Sequence, residues 1–269
     1  MDQSTTSPTT ASPAHPTKEE LNAELLPVPE LPEPPPAPDP PGTDAIIAQA
    51  VGYIRGKRGG DLVAIILVGS CARRAMTKHS DLDFIALVKG YAEGQEILRI
   101  ADRLIDIRYR GVEAVEEELR HAVRLPPLLR KGRVLFEHEG AGSKIIEKAQ
   151  QRFRQGPPSA SLAEKIRMKA DCQHWLGKAE DMANANDPAT AQYLLSILLE
   201  ELLQAFLRLK NLWPTAPADM LHFAASRDLA VGDLFERLAG APALPPRFDA
   251  ARQLMQALFK DVPNPQRLD

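Results

Sequence analysis

Ile46, Ile47, Val51 and Ile54 recur at helical spacing, with Thr43 placed to cap the start of the helix and Arg58-Gly59-Gly60 to break its end. The pattern then changes. Residues 62–68, Leu-Val-Ala-Ile-Ile-Leu-Val, form an apolar run too short for most helices, rich in β-branched side chains and closed by Gly69, as expected of a buried strand. Similar runs follow at 82–88 and 104–109, each interrupted by an aspartate. Between them, residues 93–103 carry Ile97, Leu98, Ile100 and Ala101, a spacing that predicts a short helix. A helix over 112–123, a short strand at 134–136 and a helix over 143–153 complete a pattern of strands separated by helices, the mark of an α/β sheet region.

Gln155-Gly156-Pro157-Pro158-Ser159 cannot continue a helix and reads as a joint. After it the pattern is helical, over 162–182, 188–212, 220–225, 231–238 and 247–259. The second of these is apolar over more than half its circumference, from Leu194 to Leu209, and belongs inside a bundle. No repeat of 20 to 50 residues is seen. The expected domains are a sheet domain over 43–154 and a helical one over 159–262.

Composition separates the first 42 residues from the rest. They hold 12 of the 24 prolines and a formal charge of −6, against +3 for the remaining 227 residues. Such a segment buries too little apolar surface to offset its ordering entropy, so a disordered acidic tail is expected. Within it, Thr17-Lys18-Glu19-Glu20 has capping-box spacing and precedes Leu21, Leu25 and Leu26, which suits either a transient helix or a motif that docks a protein partner. Met1-Asp2-Gln3-Ser4 is not a basic region leading into an apolar stretch, so no secretory signal is expected. With no uncharged apolar run near the ~18 residues of a membrane span, and with Cys71 and Cys172 lying 101 positions apart, a cytoplasmic protein is expected.

The chemistry is concentrated between Leu67 and Ile85. A strand delivers the chain to Gly69-Ser70, where a missing side chain lets backbone approach a ligand and the helix expected to follow would aim its amides at an anion. Ser70 adds a hydroxyl, and Arg73 and Lys78 add positive charge. Asp81 and Asp83, at i and i+2 where the next strand begins, share one face. If the strand holding Asp106 pairs beside theirs, three carboxylates meet. At ~5 Å and an effective dielectric near 20 each pair repels by about 3 kcal/mol, a cost that magnesium would relieve while also holding substrate phosphates.

Gly69-Ser70 followed by Ser80-Asp81-Leu82-Asp83, with a third aspartate on a later strand, resembles the nucleotidyltransferase superfamily that includes DNA polymerase β and the aminoglycoside nucleotidyltransferases. The resemblance covers roughly residues 45–137. It implies an α/β (α+β) core with a small mixed sheet, followed here by an all-α helical bundle. It also implies magnesium-dependent transfer of a nucleoside monophosphate from a triphosphate, ATP foremost, to an acceptor hydroxyl, with release of pyrophosphate. Asp81, Asp83 and Asp106 would hold two magnesium ions, with Asp106 completing the metal site or acting as base. Gly69, Ser70, Arg73, Lys78 and Ser80 would lie along the nucleotide, Ser80 chiefly by orienting the aspartate turn. Some aminoglycoside-modifying relatives draw a general base from outside the metal cluster, and Glu200 or Glu201 on the long helix could serve.

The acceptor stays open: an aminoglycoside-like small molecule, or a tRNA or protein hydroxyl, although a +3 net charge without a dense basic stripe gives extended nucleic-acid binding little support. A non-catalytic nucleotide-binding or toxin-neutralising module and a metal-dependent glycosyltransferase are the rivals from other classes. P-loop, dinucleotide-binding and H-E-x-x-H zinc motifs are absent, as is the Arg-x-x-x-x-His signature of HEPN ribonucleases in the helical part. Cys71, His79, His138, His174 and His222 read as packing or loop residues, and Trp175 and Trp213 as core or interdomain packing.

Overall fold

The computed structural model describes residues 40–90 and 93–265. The tail, with its expected disorder and its Thr17–Glu20 motif, lies outside them apart from its last residues, which lead into α1 (Thr43–Arg58). Thr43 is not the cap of that helix. Gly42 holds the position in a left-handed conformation (φ 82°), and Thr43, inside the first turn, donates its hydroxyl to the Pro40 carbonyl at 2.6 Å. The chain turns sharply out of Pro40-Pro41, and glycine makes that turn without strain.

The sheet has five strands: β1 (Leu62–Val68), β2 (Leu82–Val88), β3 (Glu93–Ile100), β4 (Arg103–Gly111) and β5 (Arg133–Glu137), in the order β3-β4-β2-β1-β5. It is mixed, because β2 and β4 run parallel while every other neighbour is antiparallel. A single helical turn, α2 (Gly69–Ala72), follows β1.

Residues 93–100 form a strand, not the expected helix. Glu96 points toward α1, where it accepts from Tyr53 and pairs with Lys57, while Gln95, Ile97 and Arg99 are exposed on the opposite face. The exposed Ile97 fills what would otherwise be a polar position. It thereby masks the two-residue alternation and leaves an apparently helical i, i+1, i+3 set. The hairpin closes on Ala101 at φ 49°.

Helix α1 covers one face through Ile47, Ala50 and Ile54, which share a core with Ile65, Leu67, Phe84, Ile107 and Tyr109. The other face is covered over β5, β1 and β2 and at the last residues of β4. There Ala64, Ile66, Val68, Ile85 and Leu87 pack against Val115 and Leu119 of α3 (Val112–His121), Leu129 of α4 (Leu125–Leu129), and Ile145 and Ala149 of α5 (Ala141–Arg154). The short α4 was not anticipated, since it contains Pro126 and Pro127. Both sit in its first turn, where a missing N–H costs nothing.

Helices α6 (Leu162–Asn184), α7 (Pro188–Leu209), α8 (Met220–Arg227), α9 (Leu229–Gly240) and α10 (Leu244–Phe259) make up the C-terminal region. Ser161 and Glu164 form a reciprocal capping box at the start of α6, so the joint ends where the helix begins. The core of the region runs along α7 through Leu195, Leu198, Leu202 and Phe206, joined by Phe235, Ala251 and Leu254. Trp213 ties this region to the sheet region: it stacks on Phe153 with ring centres 5.4 Å apart, and its indole N–H donates to the Phe153 carbonyl at 2.9 Å.

Candidate functional site

The site is built where β1 and β2 lie side by side. Val68, the last residue of β1, is in register with Asp83, and Gly69 follows at φ 74°. A Cβ at Gly69 would strike Asp83 Oδ2. Glycine is therefore required twice, by a backbone conformation other residues rarely adopt and by the closeness of a carboxylate. The helix after it is a single turn, so the helical anion site expected there reduces to the turn itself and the Ser70 hydroxyl. That hydroxyl has no hydrogen-bond partner among the described residues.

The parallel pairing of β2 with β4 sets Asp83 directly beside Asp106. Asp81, just before β2, completes the group. Asp83 feels it: burial, then the charge of Asp81, then that of Asp106, push its carboxyl up from 3.8 to about 6, with Arg108 pulling the other way. Asp106 is held in place, accepting from Gln95 Nε2 at 2.9 Å and from Arg108 at 3.2 Å. A cleft of about 80 Å³ opens against Asp83 and Asp106, walled by Val68, Ile85, Arg108 and Leu128. A larger hollow of about 500 Å³ beside Arg55, Phe136 and His138 of the sheet region contains none of these carboxylates.

The loop that carries Asp81 is fixed from two sides. Within it the Thr77 amide donates to Ser80 Oγ at 2.9 Å and the Ser80 amide to the Thr77 carbonyl at 3.1 Å. From β4, Arg103 Nη1 reaches the carbonyls of Thr77, Lys78 and Ser80 at 3.1, 2.7 and 3.1 Å. Ser80 thus holds the turn, while Lys78 and Asp81 are exposed and enter no ion pair among the described residues. Arg73 reaches across to Asp219, which precedes α8, at 3.5 Å.

Of the residues singled out in the sequence, Gly69, Asp81, Asp83 and Asp106 come together, with Ser70 and Lys78 on the adjoining segment. Glu200 and Glu201 do not join them. Both are exposed on α7, Glu200 accepting from Gln204 at 2.9 Å and Glu201 standing near the buried Cys172, whose thiol burial pushes up to about 12. Cys71 is buried in the core beneath α1.

Gln95, Arg103, Arg108 and Asp219 were missed. Arg108 was legible, since it lies two residues after Asp106 on a strand and so shares its face. The other three act across strand pairings or between regions and leave no local mark.

Asp83 and Asp106, side by side, with Asp83 held back from ionising by burial first and then by Asp81 and Asp106, offer the hard oxygens that magnesium takes as one or two carboxylates, completing its shell with water and phosphate. Among the described residues, no group of three or more His, Cys, Asp or Glu side chains, these aspartates included, stands so as to hold a metal ion by itself. No helix among them is long and apolar enough to cross a membrane.

No family model matches the chain, and no curated protein matches it. Among solved structures it is similar to a nucleotidyltransferase-like protein from Exiguobacterium sibiricum 255-15, at 14% identity and a TM-score of 0.48, over 80% of this chain and 75% of that one. A likeness at that level carries no argument about activity, and the functional reading rests on the site.

Proposed function

We propose that the protein is a magnesium-dependent nucleotidyltransferase, which moves a nucleoside monophosphate from a triphosphate, ATP foremost, to an acceptor hydroxyl. The observation that carries this reading is the register pairing of Asp83 with Asp106 beside a glycine turn that admits no side chain. Carboxylates alone would suit several metal enzymes. Carboxylates abutting Gly69-Ser70, with Lys78 and Arg73 on the same segment, suit a metal-bound polyphosphate.

In this reading the Gly69-Ser70 turn and Lys78 bind the triphosphate, and Arg73 leaves Asp219 for a phosphate oxygen. Asp81, Asp83 and Asp106 would hold two magnesium ions, which when bound would neutralise phosphate charge and lower the barrier to attack. The acceptor oxygen bonds to the α-phosphorus as the bond to the β-phosphate bridging oxygen breaks. Pyrophosphate leaves with that electron pair, and the hydroxyl proton passes to Asp106. Arg103 keeps Asp81 in place through the turn it clamps. Asp106 stands beside Asp83 while Glu200 and Glu201 have no contact with the cluster, which favours Asp106 as base.

The test is magnesium-dependent transfer of label from each α-labelled triphosphate to a panel of hydroxyl acceptors, with wild type beside Asp81→Asn. Labelled product that is lost in the variant supports the reading. Transfer that survives Asp81→Asn, or release of γ-phosphate in place of pyrophosphate, overturns it.

A further inference from the structure

The helices that cover the carboxylate-bearing face reach only the end of β4, where Arg110 pairs with Glu118 of α3, so the same face of β3 and of the rest of β4 is open. Strand register sets what stands on it. Ile97 is directly opposite Asp106, Leu104 precedes Asp106 by two residues, and Arg99 is opposite Leu104. Ile97 is 63% exposed and Leu104 41%, unusual for large apolar side chains on the face of a catalytic sheet. Gln95 and Arg108 border them on the far side, both already turned toward Asp106.

Resting on the function proposed above, the triphosphate lies toward β1, against Gly69 and Ser70, and the attacking molecule must therefore come from the side of β4 and β3. We infer that this open shelf seats the acceptor, and that the acceptor is a small hydroxyl compound bearing a phosphate or carboxylate beside an apolar ring or chain. Charge complementarity commits the shelf to an anion. Its apolar centre is flanked by the guanidinium of Arg99, and by that of Arg108, which already meets Asp106 at 3.2 Å. Of the acids nearby, Asp81, Asp83 and Asp106 would be taken up by metal, and Glu93 lies at the far end of β3, 3.9 Å from Arg110. Among the described residues, Asp102 at the hairpin tip is the acid left beside Arg99, which reaches its backbone carbonyl at 3.5 Å. A polycation such as an aminoglycoside would meet the Arg99 guanidinium there and gain nothing from Ile97 and Leu104. An amphipathic anion covers both apolar side chains, reaches Arg99, and leaves its hydroxyl over Asp106.

The experiment uses the full chain with magnesium and a non-hydrolysable ATP analogue, isoleucine and leucine methyl groups being labelled for NMR. The probes are 1-naphthyl phosphate, 2-naphthoate, 1-naphthylmethylamine and kanamycin. Both anions should shift the Ile97 and Leu104 methyl signals, and the tighter of the two tells phosphate from carboxylate. Ile97→Ser and Arg99→Ala should each weaken that binding at least tenfold, whereas Leu229→Ser, which removes an exposed apolar side chain on α9, should leave it unchanged. All are surface positions, and unchanged methyl spectra elsewhere confirm the fold. Equal or stronger shifts with the amine or kanamycin overturn the inference, as does anion binding indifferent to Arg99→Ala. Binding of the ATP analogue is followed in the same samples. Its absence overturns the nucleotidyltransferase reading itself, while its presence with unmoved Ile97 and Leu104 signals overturns the shelf alone.

Discussion

Replacing Asp83 by asparagine should destroy the activity and stabilise the fold. The carboxyl is raised from 3.8 to about 6 by burial and by Asp81 and Asp106, so the folded protein binds its proton more tightly than the unfolded chain. A raised carboxyl therefore favours folding below about pH 4 relative to neutral pH, and that advantage is lost as pH rises through about 6. Carrying the ionised group above that range costs about 3 kcal/mol at the full shift, and about 1 to 2 kcal/mol once discounted for the solvent that reaches this partly exposed side chain.

Asparagine keeps the shape and removes the charge. In urea unfolding at pH 7.5 with a chelator, Asp83→Asn should be the more stable protein by about 1 to 2 kcal/mol, or roughly 2 to 8 °C in a thermal scan. At pH 4 the two should coincide. Magnesium at tenfold its dissociation constant should return about 1.4 kcal/mol to wild type and much less to the variant. If Asp83→Asn is equal to or weaker than wild type at pH 7.5 without metal, the carboxylates do not strain one another, and the case for a cation there falls.

Gly69→Ala should cost about 1 to 2 kcal/mol from the left-handed backbone alone, and should lose magnesium-dependent triphosphate binding because the new methyl displaces Asp83; calorimetry on the folded variant checks both. Arg103→Ala frees the 77–80 turn and should weaken triphosphate binding about tenfold, with lysine restoring little because one ammonium cannot copy the guanidinium's reach to three carbonyls; an equal loss from Arg99→Ala would point to general charge instead. The Arg73–Asp219 pair is largely exposed and worth less than about 1 kcal/mol, so Asp219→Asn should leave the melting temperature unchanged and tighten triphosphate binding by freeing Arg73, whereas Arg73→Ala should weaken it. Asp106→Asn should lower turnover at least ~100-fold, about 2.7 kcal/mol. A comparable loss from Glu200→Gln or Glu201→Gln, with Asp106→Asn active, would move the base to α7.

The carboxylate pair and the glycine turn were legible in the sequence because their signals are local. Asp81 and Asp83 share a face by strand geometry, and Gly69 ends an apolar run. That Asp106 would join them depended on β2 and β4 pairing in parallel, which no single stretch of chain encodes. β3 was misread for the same reason that the shelf exists, since Ile97 is apolar on a face that the helices leave bare. α4 was lost because proline argues against helix everywhere except the first turn. Arg103 and Asp219 were invisible, as each acts on a segment far from it in the chain: a basic residue says nothing about which carbonyls it will meet.

The parallel pairing of β2 with β4 also makes the site depend on the completed sheet. Two parallel neighbours cannot be joined by a tight turn, and here the connection is β3 and its hairpin. Asp83 therefore has no Asp106 beside it until β4 has docked on β2. Arg103, three residues earlier on the same strand, arrives with it and grips the Asp81 turn at the same moment. A chain still missing that docking step would offer a cation only Asp81 and Asp83 on an unclamped loop, so tight binding of a cation there would report that the sheet is finished.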